Sequence, residues 1–448
     1  MLNLRRLVPC VARRNLLFAA RFMGTSSGAD SLFNPTPEHR ALREMVRGFT
    51  ESEVENQANQ FNRVEQFNRS LFKRAADLGL LGITIDTKYG GSGMDCTASC
   101  IVHEEMSSSD PAFTLSYLAH SLLFTHNLSI NGNDEQKMRY LPDACSGARI
   151  GGMGMSEPWA GTDVLGMRTT AIKKSDGTYV LNGSKMWITN GALDDDTLGD
   201  MFLVYAKTGE SKSKSGAVRP QISLFLVDKG MPGFTLGTRI KDKLGMRASC
   251  TAEIAFDDVI IPEKNLIGAP GGAMVCMMRN LEIERICLAA MSTGIARRCI
   301  EVMCNYASSR DAFGSPINTY GQIQRHIGES YAEFQAGRAY LYNVSNNVDL
   351  SKAGQRVDSD GVKLYCSTMA KNVADRAIQV LGGNGYIGQY NVCFPDKASH
   401  RLLLTSSHYF QQVERLWRDS KLIEIGGGTV ESHHKNMSKD LASIGKIL

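Results

Sequence analysis

The sequence predicts a mainly α-helical protein with a β-domain at its centre. Three observations carry this. Before about residue 150 and again after about residue 272, apolar residues recur at steps of three and four, the period of one helix face. Between these regions glycines become frequent and short β-rich runs alternate with turn signals. The chain has 448 residues, more than one core normally organises, so two or three domains are expected.

The first 29 residues hold Arg5, Arg6, Arg13, Arg14 and Arg21 and no acidic residue; Asp30 is the first. Basic, amphipathic and acid-free is the composition of a mitochondrial transit peptide. An ordinary basic N-terminal helix is the alternative. Without these five arginines the formal charge falls from +4 to −1. A nearly neutral mature protein has no electrostatic footprint for nucleic acid. No stretch reaches the roughly 18 uninterrupted apolar residues of a membrane span.

The 11 cysteines are odd in number, and Cys96 and Cys100 have no second pair at zinc-finger spacing. Reduced thiols fit this better than disulfides or a metal site.

Residues 30–150 read as a helical domain. Glu38 to Val54, Phe72 to Leu81 and Ile101 to Leu128 have helical spacing, and Lys88 to Gly93 is a loop. Residues 151–265 read as the β-domain. Tyr179-Val180-Leu181 precedes Asn182-Gly183, a hairpin-turn signal. Trp187 to Thr189, Met201 to Ala206, Ile222 to Val227 and Thr251 to Phe256 read as strands. Residues 266–448 read as helical again, with Met274 to Ala307, Tyr331 to Asn347 and Ser359 to Leu381 as the clear runs. The segment at about 393–412, with Pro395, His400 and His408, fits neither flank.

Met277, Leu281, Glu284, Leu288, Met291 and Ile295 follow one another at steps of four and three, so a helix places them on one face. Five are apolar and one is a carboxylate. Burial raises a carboxylate's pKa. A dry carboxylate of raised pKa suits a general base for a weak carbon acid. An ion pair with an arginine, such as Arg285 of a neighbouring chain, explains the same spacing, and periodicity does not decide between the two.

Gly383-Asn384-Gly385-Tyr386-Ile387-Gly388 matches the GxGxxG pattern. That motif needs a strand before it and a helix after it. Here Met369 to Leu381 reads as a helix, so a Rossmann unit is not expected. The glycines instead suggest close approach of backbone to another group.

Six segments, in order, resemble one family, the acyl-CoA dehydrogenases. They are Met155-Ser156-Glu157-Pro158 with Ala160-Gly161-Thr162-Asp163; Gly183-Ser184-Lys185-Met186-Trp187-Ile188-Thr189-Asn190-Gly191; Gly245-Met246-Arg247-Ala248-Ser249 leading to Phe256-Asp257-Asp258-Val259; Arg310-Asp311-Ala312-Phe313-Gly314; Gln379 to Gly385; and Arg418-Asp419-Ser420-Lys421. The resemblance spans most of residues 35–448. It implies a helical N-domain, a β-barrel-like middle domain and a C-terminal four-helix bundle, assembled as a homotetramer. It also implies FAD bound without a Rossmann fold, an acyl-CoA substrate, electron-transfer flavoprotein as the electron acceptor, and the mitochondrial matrix.

By match, Met153, Met155, Ser156, Thr162, Trp187, Ile188 and Thr189 would line the flavin. Arg310, Gln379, Gly382 and Gly383 would hold the FAD pyrophosphate and adenosine of a neighbouring subunit. Gly427, Gly428 and Thr429 complete the cofactor set. Thr162, Tyr205, Ala206, Glu282, Arg285, Gly426 and Gly427 would meet the thioester and CoA. Some positions depart from the family pattern. Gly321 stands where a glutamine is usual and Gln322 is one step along, and Val275 stands where isovaleryl enzymes have an aromatic. The 393–412 segment interrupts a normally short link.

The base separates subfamilies. Most members carry Glu immediately before Gly-Thr; here that position is Gly427, in Ile425-Gly426-Gly427-Gly428-Thr429. Isovaleryl-CoA and long-chain members place the base on a helix in a Leu-x-x-Glu-Arg context, which resembles Leu281-Glu282-Ile283-Glu284-Arg285. The stripe and the resemblance select the same residue. Space beside Gly426 and Gly427 suits a branched acyl chain. The expected activity is dehydrogenation of isovaleryl-CoA to 3-methylcrotonyl-CoA in leucine catabolism. A long-chain or other branched-chain dehydrogenase, and a non-catalytic assembly or binding member, are the alternatives.

Overall fold

The computed structural model describes residues 31–212, 216, 218–350, 356–388 and 413–444. The transit-peptide reading of 1–29 and the 393–412 segment lie outside the described residues.

The N-terminal helices are set by caps. Helix α1 (Pro37–Phe49) starts at Thr36, whose hydroxyl accepts the His39 N–H at 3.3 Å, and α2 (Glu55–Val64) follows. Helix α3 (Arg69–Asp77) begins at an Asn68 cap and ends before Gly79, whose φ of 74° leaves the helical path. It is thus offset from the expected Phe72–Leu81. The expected helix from Ile101 to Leu128 is interrupted. Helix α4 (Cys96–Ser107) stops, and α5 (Pro111–Leu118) restarts at Asp110, whose carboxylate accepts the Phe113 N–H at 3.0 Å. A capping aspartate followed by proline begins a new helix whatever the apolar period across it. The chain continues through a wider turn (Ala119–His126) to α6 (Asn127–Asn131) and α7 (Asp134–Cys145).

The central sheet has strands β1 (Gly151–Gly154), β2 (Thr170–Lys173), β3 (Tyr179–Thr189), β4 (Met201–Lys212), β5 (Val218–Asp228), β6 (Phe234–Ile240), β7 (Thr251–Ile261) and β8 (Leu266–Ile267). They run in the order β6-β7-β3-β2-β4-β5-β8, with β1 parallel beside β4. Asn182-Gly183, expected as a hairpin turn, lies inside β3 as a register shift against β7. Gly183 has φ 135°, and a Cβ there would come within 2.8 Å of Thr169 Cα, so glycine serves a close strand crossing instead of a turn. Strand β4 alternates cleanly. Met201, Leu203 and Tyr205 join the cluster between sheet and helices, while Phe202, Val204 and Ala206 fill the sheet's other face.

The C-terminal helices are α8 (Ala273–Ser309), α9 (Gly321–Asn347), α10 (Arg356–Leu381), the short α11 (Gly383–Tyr386), α12 (Val413–Ile423) and α13 (Val430–Ile444). Helix α8 packs on α9, α10 and α12 and also on α4 of the N-terminal region. The α4 contact carries a buried charge network. Glu104 accepts Arg43 at 2.7 Å, Arg338 at 2.6 Å and the Tyr342 hydroxyl at 2.5 Å, while Glu105 accepts Arg297 at 2.8 Å. Buried carboxylates with this many donors fix the register of α1, α4, α8 and α9. The GxGxxG stretch follows the helix α10, and its first four residues form α11. Among the described residues no helix is long and apolar enough to cross a membrane.

Candidate active site

The stripe on α8 has a physical junction at Glu284. Met277 and Leu281 pack in the cluster shared with the sheet, and Leu288, Met291 and Ile295 pack in the larger, mainly helical core. Glu284 lies between the two clusters, 6% exposed. Its Oε2 is buried without a hydrogen-bond partner. Burial pushes its pKa up to about 7, against the opposing pull of Arg285 and Lys363. Among the described residues Glu284 forms no ion pair. Arg285 instead donates to Asp360 at 2.9 Å and to the Gly427 carbonyl at 3.2 Å.

Gly427 closes over this carboxylate. It sits at φ 68°, and a Cβ there would lie 2.5 Å from Leu288 Cδ1 and 3.5 Å from Glu284 Oε1. A glycine is needed for both the left-handed backbone and the space. Gly426, Gly428 and Thr429 are half-buried beside it. Thr429 also begins α13, where its hydroxyl accepts the Ser432 N–H at 3.3 Å.

The β-domain presents the opposite wall. Met153 and Met155 share a cluster with Leu281 and Met277, which ties the β1 edge to the Glu284 helix. The Ser156 carbonyl accepts the Met186 N–H at 2.9 Å and so sets the Ser156 loop beside the end of β3. There a register shift between Lys185 and Ile188 coincides with Trp187 at φ 61°, an uncommon conformation for a bulky residue. The bulge turns the Trp187 indole out, 54% exposed, while the Ile188 side chain goes into the sheet's far face. Thr189 is half-buried and Thr162 is exposed. Apolar Met153, Met155 and Trp187 together with the hydroxyls of Ser156 and Thr189 are the donor set for a flat aromatic ring with a polar edge. FAD fits that set.

Tyr205 reaches the site: it is buried, with Asn127 near its hydroxyl, and it interacts electrostatically with Glu284. The side chain of Ala206 points away, into the other face of the sheet. Glu282 is buried on α8, two positions before Glu284.

The other expected cofactor residues lie far from Glu284. Arg310 follows the last residue of α8, so it is 26 positions along from Glu284, roughly 40 Å by helix rise. Gln322 is the second residue of α9, Gln379 lies in the last turn of α10, and Gly382 and Gly383 follow it; all are exposed. Asn384 donates to the Tyr306 hydroxyl at 2.8 Å, which places the glycine stretch at the same end of α8 as Arg310. Phe313 stands out there at φ 51°, 98% exposed.

Three family models match in succession: the acyl-CoA dehydrogenase N-terminal domain over residues 36–148, the middle domain over 152–259 and the C-terminal domain over 271–442. The chain belongs to the acyl-CoA dehydrogenase family. It is 36% identical to "Isovaleryl-CoA dehydrogenase, mitochondrial" of Oryza sativa subsp. japonica, over 98% of both chains. It is 35% identical to "2-methylacyl-CoA dehydrogenase, mitochondrial" of Solanum tuberosum, over 90% of both. The structure of butyryl-CoA dehydrogenase from Megasphaera elsdenii superposes with a TM-score of 0.79 at 28% identity, covering 91% of this chain and 98% of that one. This acyl-CoA dehydrogenase is therefore an oxidoreductase of a flavoprotein family.

Sequence reading missed three side chains beside Gly427, namely Asp360, Lys363 and His433. A signal for two of them existed. Asp360, Lys363, Ser367, Ala370, Ala374, Ala377 and Leu381 fall at alternating steps of three and four, and all are buried. The stripe test that exposed Glu284 exposes two charges on α10 as well.

Proposed function

We propose that this acyl-CoA dehydrogenase oxidises a short branched acyl-CoA, isovaleryl-CoA, to its α,β-unsaturated thioester with FAD as cofactor, acting in the mitochondrial matrix on the leucine pathway. The observation that carries the reaction is the unpartnered, buried Glu284 carboxylate with a pKa near 7, beneath a glycine turn. The α-proton of a thioester is weakly acidic, and a desolvated carboxylate can take it. The Gly427 N–H is the donor for the enolate oxygen that develops, as in an oxyanion hole. FAD, when bound, supplies the acceptor for the hydride leaving the β-carbon. Met153, Met155, Trp187, Ser156 and Thr189 would hold its ring, and Arg310, Gln322, Gln379, Gly382 and Gly383 would hold the distal end in a homotetramer. Electron-transfer flavoprotein would take the electrons onward.

The named relatives support the branched chain, and the small residues at Gly426 and Gly427 leave room for it. The 2-methylacyl relative favours a second reading in which the branch sits at the α-carbon. The test is anaerobic bleaching of flavin absorbance with isovaleryl-CoA, 2-methylbutyryl-CoA, butyryl-CoA and palmitoyl-CoA. Fastest bleaching by isovaleryl-CoA is expected. Fastest bleaching by palmitoyl-CoA or the 2-methyl thioester would move the assignment, and a flavin that none reduces would end the catalytic reading.

A pH profile tests the base separately. Glu284 must be ionised to accept a proton, so flavin reduction should rise with pH through about 7. Lys363 favours the ionised form. Its replacement in Lys363→Met should therefore move that limb to higher pH. A limb that stays in place in Lys363→Met would show that another group titrates.

A further inference from the structure

The turn at Gly427 and Gly428 is held from behind. The Gly428 carbonyl accepts Lys363 Nζ at 2.6 Å and His433 Nε2 at 3.0 Å, and the Gly427 carbonyl accepts Arg285 Nε at 3.2 Å. One layer further back, Asp360 Oδ1 accepts Arg285 Nη1 at 2.9 Å and meets His433 Nδ1 at 2.6 Å. Asp360, Lys363 and His433 are fully buried.

Both ring nitrogens of His433 face oxygens that only accept, a carbonyl and a carboxylate. A neutral imidazole has one N–H and satisfies one of them. A second proton in the 2.6 Å contact between Nδ1 and Asp360 Oδ1 would satisfy both. Whichever atom it favours, the pair is neutral as a unit and its Nε2–H remains donated to Gly428. The charged groups around the pair are Glu282, Glu284 and Arg285 from α8, Arg356 and Lys363 from α10, and Glu424 just past the end of α12. Burial pushes the imidazolium pKa down, Lys363 and Arg285 add to this, and Asp360 opposes it.

We propose that Asp360 and His433 are positioning residues, a buried pair sharing one proton that locks the Gly427–Gly428 turn against Glu284. This rests on the catalytic reading above. Three successive glycines have wide conformational freedom, and two of them sit at φ 68° and 105°. Without pinned carbonyls the turn has many alternatives, and only one places Gly427 against the base.

The test compares the FAD-loaded wild type with Asp360→Asn and His433→Gln, using whichever thioester bleaches the wild-type flavin fastest. Both variants should lose about 100-fold in reduction rate, the effect of a displacement near 1 Å, with little change in thioester affinity. Asp360→Asn cannot share a proton. It should therefore lose further activity as pH rises through a value below the roughly 6.5 of a free imidazole, because burial, Lys363 and Arg285 then act on His433 without Asp360 to oppose them; wild type should not. Its crystal structure should show the Gly428 carbonyl swung off His433. An unmoved turn, or an equal loss at every pH, would overturn the proposal. If no thioester bleaches the wild-type flavin, the failure belongs to the catalytic reading and is seen before any variant is made.

Discussion

Glu284→Gln should leave a protein that binds flavin and thioester but reduces flavin about 10²–10⁴-fold more slowly, the usual contribution of a positioned general base. Glutamine keeps the shape and cannot take the α-proton. The same variant should be more stable than wild type at alkaline pH. The folded-state pKa of Glu284 is about 7 against an ordinary 4.5, so the folded protein holds this proton more tightly than the unfolded chain does. Stability is therefore lost as pH rises from about 4.5 to 7, and the full deficit persists above that. At about 1.4 kcal/mol for each tenfold step, the deficit is on the order of 3 kcal/mol. Denaturant unfolding of both proteins at pH 5 and pH 8.5 checks this. The variant should gain at pH 8.5 and show little difference at pH 5. An equal gain at both would trace the effect to something other than ionisation, and an unimpaired bleaching rate would remove Glu284 as the base.

Gly427→Ala should be the most damaging change of a single methyl in the site. An L-residue at φ 68° costs about 1–2 kcal/mol in backbone strain alone. The added Cβ also overlaps Leu288 Cδ1 at 2.5 Å and presses toward Glu284 Oε1. Relief by shifting the turn moves the N–H assigned to the enolate oxygen, and a misplacement near 1 Å costs about 100-fold. Stopped-flow bleaching should show the loss in the reduction rate and not in affinity. Leu288→Ala in the same chain separates the causes. It restores part of the rate if side-chain overlap dominates, and none if backbone strain does.

The charges around the turn differ from those of an ordinary buried ion pair. Arg285, Lys363 and His433 direct donors at two backbone carbonyls, and Asp360 balances them from behind. Among the described residues Glu284 has no ion-pair partner, and its buried Oε2, like Asp360 Oδ2, accepts no hydrogen bond. A buried carboxylate of raised pKa with no ion-pair partner suits proton transfer better than stability. The raised pKa and the expected stability gain on its removal are the same fact seen from two sides.

The sequence by itself singled out Glu284, the residue proposed as the base. A glutamate on a stripe of five apolar residues is visible without coordinates, because helical period alone decides which side chains share a face. It also determined the α-β-α order and rejected a Rossmann unit at Gly383, since both follow from local period and neighbouring elements. Tertiary structure decided what local signals cannot carry. Asn182-Gly183 reads as a turn, but the nearby Thr169 backbone makes it a bulge inside β3. Ile101 to Leu128 reads as one helix, but the Asp110 cap and Pro111 divide it. The ring around Gly427 brings together α8, α10 and α13, separated by more than seventy residues at each step. Period assigns a face to each helix but not the partner that the face meets. That choice is made by packing, where burying Asp360 and His433 is tolerable because each meets the other, and burying Lys363 because it meets the Gly428 carbonyl.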